Sequence, residues 1–372
     1  MMLVAAVIAF SSPCEIENVR GLDRNVVVVV SNAGEDACID LQLSVACGSH
    51  HLERTIPVIR PEQDVELSIP ITDLGWPTIH GWADVHCTLA DRTTTAILEF
   101  PPAPGMVVIN EVMFDPRPGL ADYVEIITQD YEPRTLQGWI LRDANTSAMI
   151  PDSTTLAPGS YTVLASKASV AEMMVDHTAV APVVLSRAIN FNTTGDRVAL
   201  CTSSGLVVDE LTYSPTWHSS VLERTRGIAL EKLHPAVQSH RSSSWTSCTD
   251  STGGTPGRAN STTRPVPDRG TLQVFPSPFS SDPRDVQHPA VISYQQPFRT
   301  ARATMSIVSP SGVRVATLLN SEGIFWQGAL AWDGTSDVGQ RVEPGPYVVV
   351  LECVDAESSA THHATALIVV GR

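Results

Sequence analysis

Along nearly its whole length the chain alternates apolar and polar residues with a period of two, in short runs separated by Gly, Pro, Asn or Asp. In "DLQLSVAC" the alternation puts Leu41, Leu43, Val45 and Cys47 on one face, and in "WADVHCTL" it does the same for Ala83, Val85, Cys87 and Leu89. Successive side chains of a strand point to opposite faces, so this pattern predicts half-buried sheets. Val, Ile, Thr and Tyr fill the runs, and many short strands with turn residues between them are the signature of sandwiches and barrels. Only "SKASVAEMMVDH" has helical spacing, which predicts a helix over residues 166–177.

The runs fall into three blocks. In the first, residues 13–101, "NVVVVVSNAGEDACIDLQLSVAC" reads as two strands around an Asn-Ala-Gly turn. "HLERTIPVI", "DVELSIPI", "GWADVHCTL" and "TTTAILEF" follow, as a seven-stranded sandwich requires, and "PPAPG" closes the block as a stiff linker. The second block, residues 106–261, runs from "MVVINEVMFDP" to "GGTPGRANS". Its "DYVEIIT" alternates Tyr123, Glu125 and Ile127 with Val124, Ile126 and Thr128, and Trp139 has the bulk to fill a sandwich core. "GDRVAL" and "GLVVDEL" form a predicted hairpin joined at "CTSSG", where Gly205 can take a positive φ. A Pro-rich linker over residues 262–270 leads to the third block, residues 271–372, again made of strand-like runs.

Longer motifs carry resemblances. The first block, with a strand, "N-x-G", a strand and a later proline turn, resembles the cell-adhesion-related immunoglobulin-like domains of bacterial surface proteins. In the second, "INEVMFDP", "DYVEI", "LQGWILRD", "LAPGSYTVL", "NTTGDRVALCTSSGLVVDELTYS", "IALEKLHP", "SSSWTS" and "GGTPGRANS" occur in order. Together they resemble the bacterial lamin-tail domain, an immunoglobulin-like β-sandwich. The third block carries "WDG…G…V…G.Y" at Trp332, Asp333, Gly334, Gly339, Val342, Gly345 and Tyr347, and resembles the immunoglobulin-like module of the flagellar hook-capping protein. "FPSPF" is similar to the "YPNP" opening of type IX sorting modules but departs from it, with Phe275 in place of tyrosine and Ser277 in place of asparagine. The resemblances imply an all-β chain of three consecutive immunoglobulin-like β-sandwich modules.

Composition narrows the function. The 372 residues are 43% hydrophobic, ample for packed cores, and 40 acidic against 24 basic residues give a net charge of −16. An acidic excess without a Lys/Arg cluster argues against nucleic-acid binding, which depends on neutralising phosphates. Lys167 and Lys232 are the only lysines. Residues 1–12 begin with an apolar run ending in small residues, similar to a secretory signal but without its positively charged start; the alternatives are a buried first strand or a mis-set start codon. The run is too short to span a bilayer, and no other stretch reads as transmembrane. None of the seven cysteines forms a C-x-x-C pair, which argues against a zinc ribbon or thioredoxin-like motif. Cys47 and Cys87 face the core on different strands, either bridged, as in an exported protein, or as two buried thiols.

Candidate chemistry is sparse. G-x-S-x-G, H-E-x-x-H, Walker and G-x-G-x-x-G motifs are absent. "GGTPGRANS" lacks the following helix that would complete a phosphate loop, and reads instead as a joint of tight turns beside the last strand of its block. Glu111, Asp115, Asp122 and Glu125 cluster in sequence and can in principle ligate calcium or serve as acid and base. The favoured reading makes them strand-end and outer-face charges, and the lamin-tail resemblance implies no catalytic role for Glu111 or Glu125. His50-His51 and His362-His363 are expected to be surface or turn histidines, since adjacent residues on a strand point to opposite faces and one pair rarely supplies two metal ligands. Residues 333–343 superficially resemble an EF-hand loop, but the twelfth position is Pro344, so Asp333 is expected to cap a turn. Asp209 and His218 flank "YSPTWHSS", expected to be a hydrogen-bonded loop. No catalytic or cofactor-binding residue is assigned, and metal binding is left open. The expectation is a non-enzymatic, exported surface, adhesion or scaffold protein with a protein or cell-surface carbohydrate partner. The alternative is an accessory binding part of an extracellular nuclease or phosphoesterase system.

Overall fold

The computed structural model describes residues 13–76, 80–130, 132–173, 181–264, 272–282, 284–285, 288–355 and 358–371. The signal-like run, residues 174–177 of the expected helix and residues 265–270 of the linker lie outside the described residues. What is described is all-β, with 3-10 turns of three to six residues between strands. The expected helix is one of these turns, Ala168–Met173. Among the described residues no helix is long and apolar enough to cross a membrane.

The chain divides into two compact units, one of Met1–Ala103 with Cys201–Val208 and one of Pro104–Leu200 with Asp209–Arg372. The first unit contains β1 (Cys14–Leu22), β2 (Asn25–Asn32), β3 (Cys38–Cys47), β4 (His50–Ile59), β5 (Asp64–Pro70), β6 (Gly81–Leu89) and β7 (Arg92–Phe100). They form a three-stranded sheet ordered β1-β2-β5 and a four-stranded sheet ordered β4-β3-β6-β7. The period-two pattern sets the core: Leu43, Val45, Cys47, Val85, Cys87 and Leu89 are buried while their neighbours face outward. The Asn-Ala-Gly turn closes on Asn32, whose Oδ1 accepts from the Gly34 N–H and whose Nδ2 donates to Ile59 O, both at 2.9 Å. A disulfide joins Cys14 to Cys38. Cys47 and Cys87 are free thiols, because their strands are neighbours in one sheet and the register pairs Cys47 with Val85 and Val45 with Cys87. The tip Cys201–Val208 docks on the end of β7, where Ser203 Oγ donates to Glu99 Oε2 at 2.5 Å and Thr202 Oγ1 to Glu99 O at 2.9 Å.

The lamin-tail-like block continues with β8 (Val107–Met113), β9 (Tyr123–Thr128), β10 (Arg134–Thr135), β11 (Ile140–Arg142), β12 (Ser147–Met149), β13 (Thr155–Leu156), β14 (Tyr161–Ala165), β15 (Val183–Val184), β16 (Asp196–Cys201), β17 (Val207–Tyr213), β18 (Leu230–Lys232) and β19 (Trp245–Ser247). One sheet is ordered β15-β14-β9-β8-β18-β19, the other β12-β11-β16-β17, and β10 pairs with β13. Trp139 is 1% exposed, and Phe114 stacks on Tyr213 with ring centroids 4.4 Å apart. Every residue of β8 and of β9 is buried, so these strands are covered on both faces.

The C-terminal block consists of β20 (Leu272–Phe275), β21 (Phe279–Ser280), β22 (Ala290–Val308), β23 (Arg314–Trp332), β24 (Gly345–Asp355) and β25 (Thr361–Gly371). Its sheet follows β20-β22-β24-β25-β21, with β23 paired to β22. Phe279, Trp332 and Tyr347 pack ring to ring in its core at 5.4 and 6.1 Å. Leu233 and Val237 of the preceding block pack on Val291, Ala329 and Ala331, and Arg241 makes a two-pronged ion pair with Glu322 at 2.9 and 2.8 Å. The two blocks thus share one compact unit.

Candidate functional site

Two of the four sequence-clustered carboxylates come together, with a third that the sequence reading did not single out. The register pairs Glu111 on β8 with Glu125 on β9 and, on its other side, with Glu231 on β18. The three glutamates therefore form a row across adjacent strands, and all are fully buried. This corrects their reading as strand-end or outer-face charges. Asp115 and Asp122 remain apart from the row. Asp115 accepts from Arg226 Nε at 3.1 Å, and Asp122 accepts from the Phe191 N–H at 2.8 Å.

Like charges opposite one another destabilise a sheet, and a buried carboxylate without partners is costly. Here the "GGTPGRANS" stretch supplies the compensation by lying over the row as a strap. The Thr255 N–H donates to Glu111 Oε1 at 2.9 Å, and the Gly257 N–H to Glu125 Oε2 at 2.6 Å. Ser261 Oγ and Thr262 Oγ1 each reach Glu231 Oε2 at 2.8 Å. From beneath, Tyr123 OH donates to Glu111 Oε1 at 2.7 Å, and Asn110 Nδ2 to Glu125 Oε1 at 2.9 Å. Asn260 fastens the strap to the sheet, its Nδ2 donating to Asn110 O at 3.0 Å and Lys232 O at 2.8 Å. Gly253 takes a φ of +88°, and a Cβ there would lie 1.9 Å from Gly227 O, so the entry to the strap admits only glycine. The expected tight turns are present, and their amides and hydroxyls are directed at the row.

Thr255 Oγ1 lies 3.2 Å from Glu111 Oε2 and 2.8 Å from Glu231 Oε1. One hydroxyl has one proton to give, so one of these carboxyls must be the donor. Burial first, and the neighbouring Glu231 second, push the Glu111 pKa up to about 8, so that Glu111 favours its protonated form. Burial and the charge of Glu111 raise Glu125 in the same direction. All six carboxyl oxygens of the row are engaged in hydrogen bonds within the protein. Among the described residues no group of three or more His, Cys, Asp or Glu side chains is placed to hold a metal ion.

The remaining candidates are dispersed. His51 Nε2 and Ser44 Oγ are 2.7 Å apart, and His362 and His363 stand opposite Cys353 and Glu352 on β24. Asp333 Oδ1 accepts from Thr335 N and Oγ1 at 3.0 and 2.6 Å, the expected turn cap. Asp209 and His218 do not meet: Asp209 bonds to Ile109 N and Ser239 Oγ, whereas His218 Nδ1 lies 2.9 Å from Ser247 Oγ. The signal for Glu231 was available in the chain. "INEVM", "YVEII" and "ALEKL" each set a glutamate inside an apolar run, as a strand buried on both faces would.

Residues 101–215 match the Lamin Tail Domain family. The matched segment carries Glu111 and Glu125 but ends before Glu231 and the strap. No curated protein matches the chain. Solved structures to which it is similar include the YadV chaperone, at 11% identity over 54% of this chain and 100% of that chain, with a TM-score of 0.17. Another is PorZ, an essential bacterial surface component of the type-IX secretion system of Porphyromonas gingivalis, at 9% identity over 95% of this chain and 51% of that chain, with a TM-score of 0.20. A third is dimeric latent PorU from Porphyromonas gingivalis, at 8% identity over 96% of this chain and 34% of that chain, with a TM-score of 0.22. The chain thus spans about half the length of PorZ and a third of that of PorU.

Proposed function

We propose that the chain is a non-catalytic, exported surface, adhesion or scaffold component built from immunoglobulin-like modules. The observation that carries this reading is the closed glutamate row: the carboxylates best suited to chemistry spend every oxygen on the strap and sheet. The Cys14–Cys38 disulfide supports the exported half, since such bonds persist in oxidising compartments. In this reading the first block serves as an adhesion-type domain and the C-terminal block as a module of the hook-capping type, with a protein or cell-surface carbohydrate as partner. The test is cell fractionation with protease shaving of intact cells, alongside a metal-supplemented phosphodiesterase assay on purified protein. Surface-exposed, inactive protein is the expected result. Hydrolysis that disappears in Glu111→Gln would overturn the non-catalytic half and favour the nuclease-associated alternative. Cytoplasmic protein with all its cysteines reduced would remove the exported half.

A further inference from the structure

A second polar cluster lies inside the lamin-tail-like block and shares no side chain with the glutamate row. Lys232, the last residue of β18, is 1% exposed. An ammonium presents three donors and a full charge, and an apolar interior tolerates it only where these are met. Among the described residues Nζ has one hydrogen-bond acceptor, Ser239 Oγ at 2.6 Å. Asp209 Oδ2, on β17 of the facing sheet, is 3.9 Å from Nζ, beyond hydrogen-bond range. That oxygen accepts from the same Ser239 Oγ at 2.6 Å and from the Ile109 N–H at 2.8 Å. Ser239 is held in place by Trp245, whose Nε1 donates to Ser239 O at 2.7 Å. A poorly satisfied buried amine, a carboxyl and a hydroxyl touching both make an odd ion pair but a well-arranged reaction site.

We infer that Lys232 and Asp209 are a cross-linking site, at which Nζ and Cγ join as an amide that ties β18 to β17 across the sandwich. The reaction needs a free amine and an uncharged carboxyl. Burial favours the neutral amine, and Ser239 Oγ, bonded to both groups, relays a first proton from the ammonium to Oδ2, leaving a free amine and an uncharged carboxyl. Nζ attacks Cγ and the C–N bond forms. Ser239 Oγ takes one proton from the nitrogen and passes its own to Oδ2, and the C–O bond breaks as one water leaves. The Ile109 N–H, already on Oδ2, holds the leaving oxygen in place beside Ser239 Oγ. Atoms balance as amine plus acid giving amide plus water, with no oxidant and no cofactor. The inference is independent of whether the chain is exported.

Trypsin decides it on the full-length purified protein. A free Lys232 is cleaved on its C-terminal side, releasing residues 227–232 and 233–241, while residues 198–224 appear alone. The cross-link instead leaves residues 227–241 uncut and joined to residues 198–224, lighter than the sum of the two by one water. Tandem mass spectrometry should assign the bond to Nζ of Lys232. In Lys232→Arg the joined species should vanish and residues 198–224 return at full mass. The separate, full-mass peptides from the wild-type protein would overturn the inference, as would a water loss on residues 198–224 that persists in Lys232→Arg. The wild-type digest alone suffices, so the test survives a variant that fails to fold.

Discussion

On β24 the buried residues Tyr347, Val349, Leu351 and Cys353 alternate with more exposed neighbours, and the core they build is aromatic and aliphatic. On β8 no such alternation exists: seven consecutive residues are buried, Glu111 among them. The two sheets lie in the same compact unit, yet one has a solvent face and the other has that face covered by the strap over residues 253–262. A sheet with one wet face can send its polar residues there. A sheet covered on both faces must satisfy them internally, and the lamin-tail-like sheet does so with amides and hydroxyls delivered from the far end of its block. Stability in the first case rests on packing, whereas in the second it rests on packing and on a completed hydrogen-bond network.

The comparison is broken most severely at the shared ingredient, the buried tryptophan. Trp139→Ala and Trp332→Ala should each cost about 3–5 kcal/mol, the usual cost of emptying a large aromatic site. Chemical denaturation checks this, and an unchanged midpoint for Trp139→Ala would mean that its sheet does not depend on apolar filling. Thr255→Val separates the two sheets. It keeps the shape but removes the hydroxyl shared by Glu111 and Glu231, and should cost about 1–3 kcal/mol for each carboxyl left unsatisfied. A loss below about 0.5 kcal/mol by the same measurement would show that the network contributes nothing net.

The pH dependence sharpens the same contrast. Glu111 titrates higher folded, at about 8, than an unfolded glutamate does, so the fold retains its proton more strongly. Stability from this group is complete below the ordinary carboxylate pKa and is lost as pH rises toward and through about 8, at no more than about 1.4 kcal/mol per unit. Asp122, raised by burial to about 6, acts in the same direction. His218 acts oppositely: burial lowers it to about 4, so its contribution is lost as pH falls below the ordinary histidine value. A Tm profile should therefore peak on the acid side of neutrality, and Glu111→Gln should flatten its alkaline limb. An alkaline limb equally steep in Glu111→Gln would locate the proton elsewhere. The smallest effect belongs to the exposed rim of the C-terminal block. Val338 is 78% exposed, and Val338→Ser should change stability by less than about 0.5 kcal/mol in the same denaturation series.

Much of the architecture is legible in the residues themselves. Leu43, Val45 and Cys47 alternate in sequence and are buried in fact, because a strand's period is local information. The failures have a common cause in long-range structure. Residues 166–177 have helical spacing, but the described part is a single 3-10 turn between β14 and β15, where tertiary context overrides propensity. Glu111 and Glu125 read as outward charges because polar residues on a strand usually face water. The apolar runs around them signal a second covered face, but nothing near them in the chain identifies residues 253–262 as the cover. Lys232 was conspicuous only by its rarity, since the carboxyl it meets lies on another sheet.

The strap also sets a timetable. Glu111 waits for Thr255, 144 positions later in the chain, before its partners are complete. At ordinary synthesis rates of about 5–20 residues per second, that is an interval of roughly seven to thirty seconds. For most of it the strands β8 and β9 exist without their cover, and water can still ionise Glu111 and Glu125. Ionised, these two side chains oppose the pairing of their own strands. The cover closes only when the last residues of the block emerge and the protons are trapped.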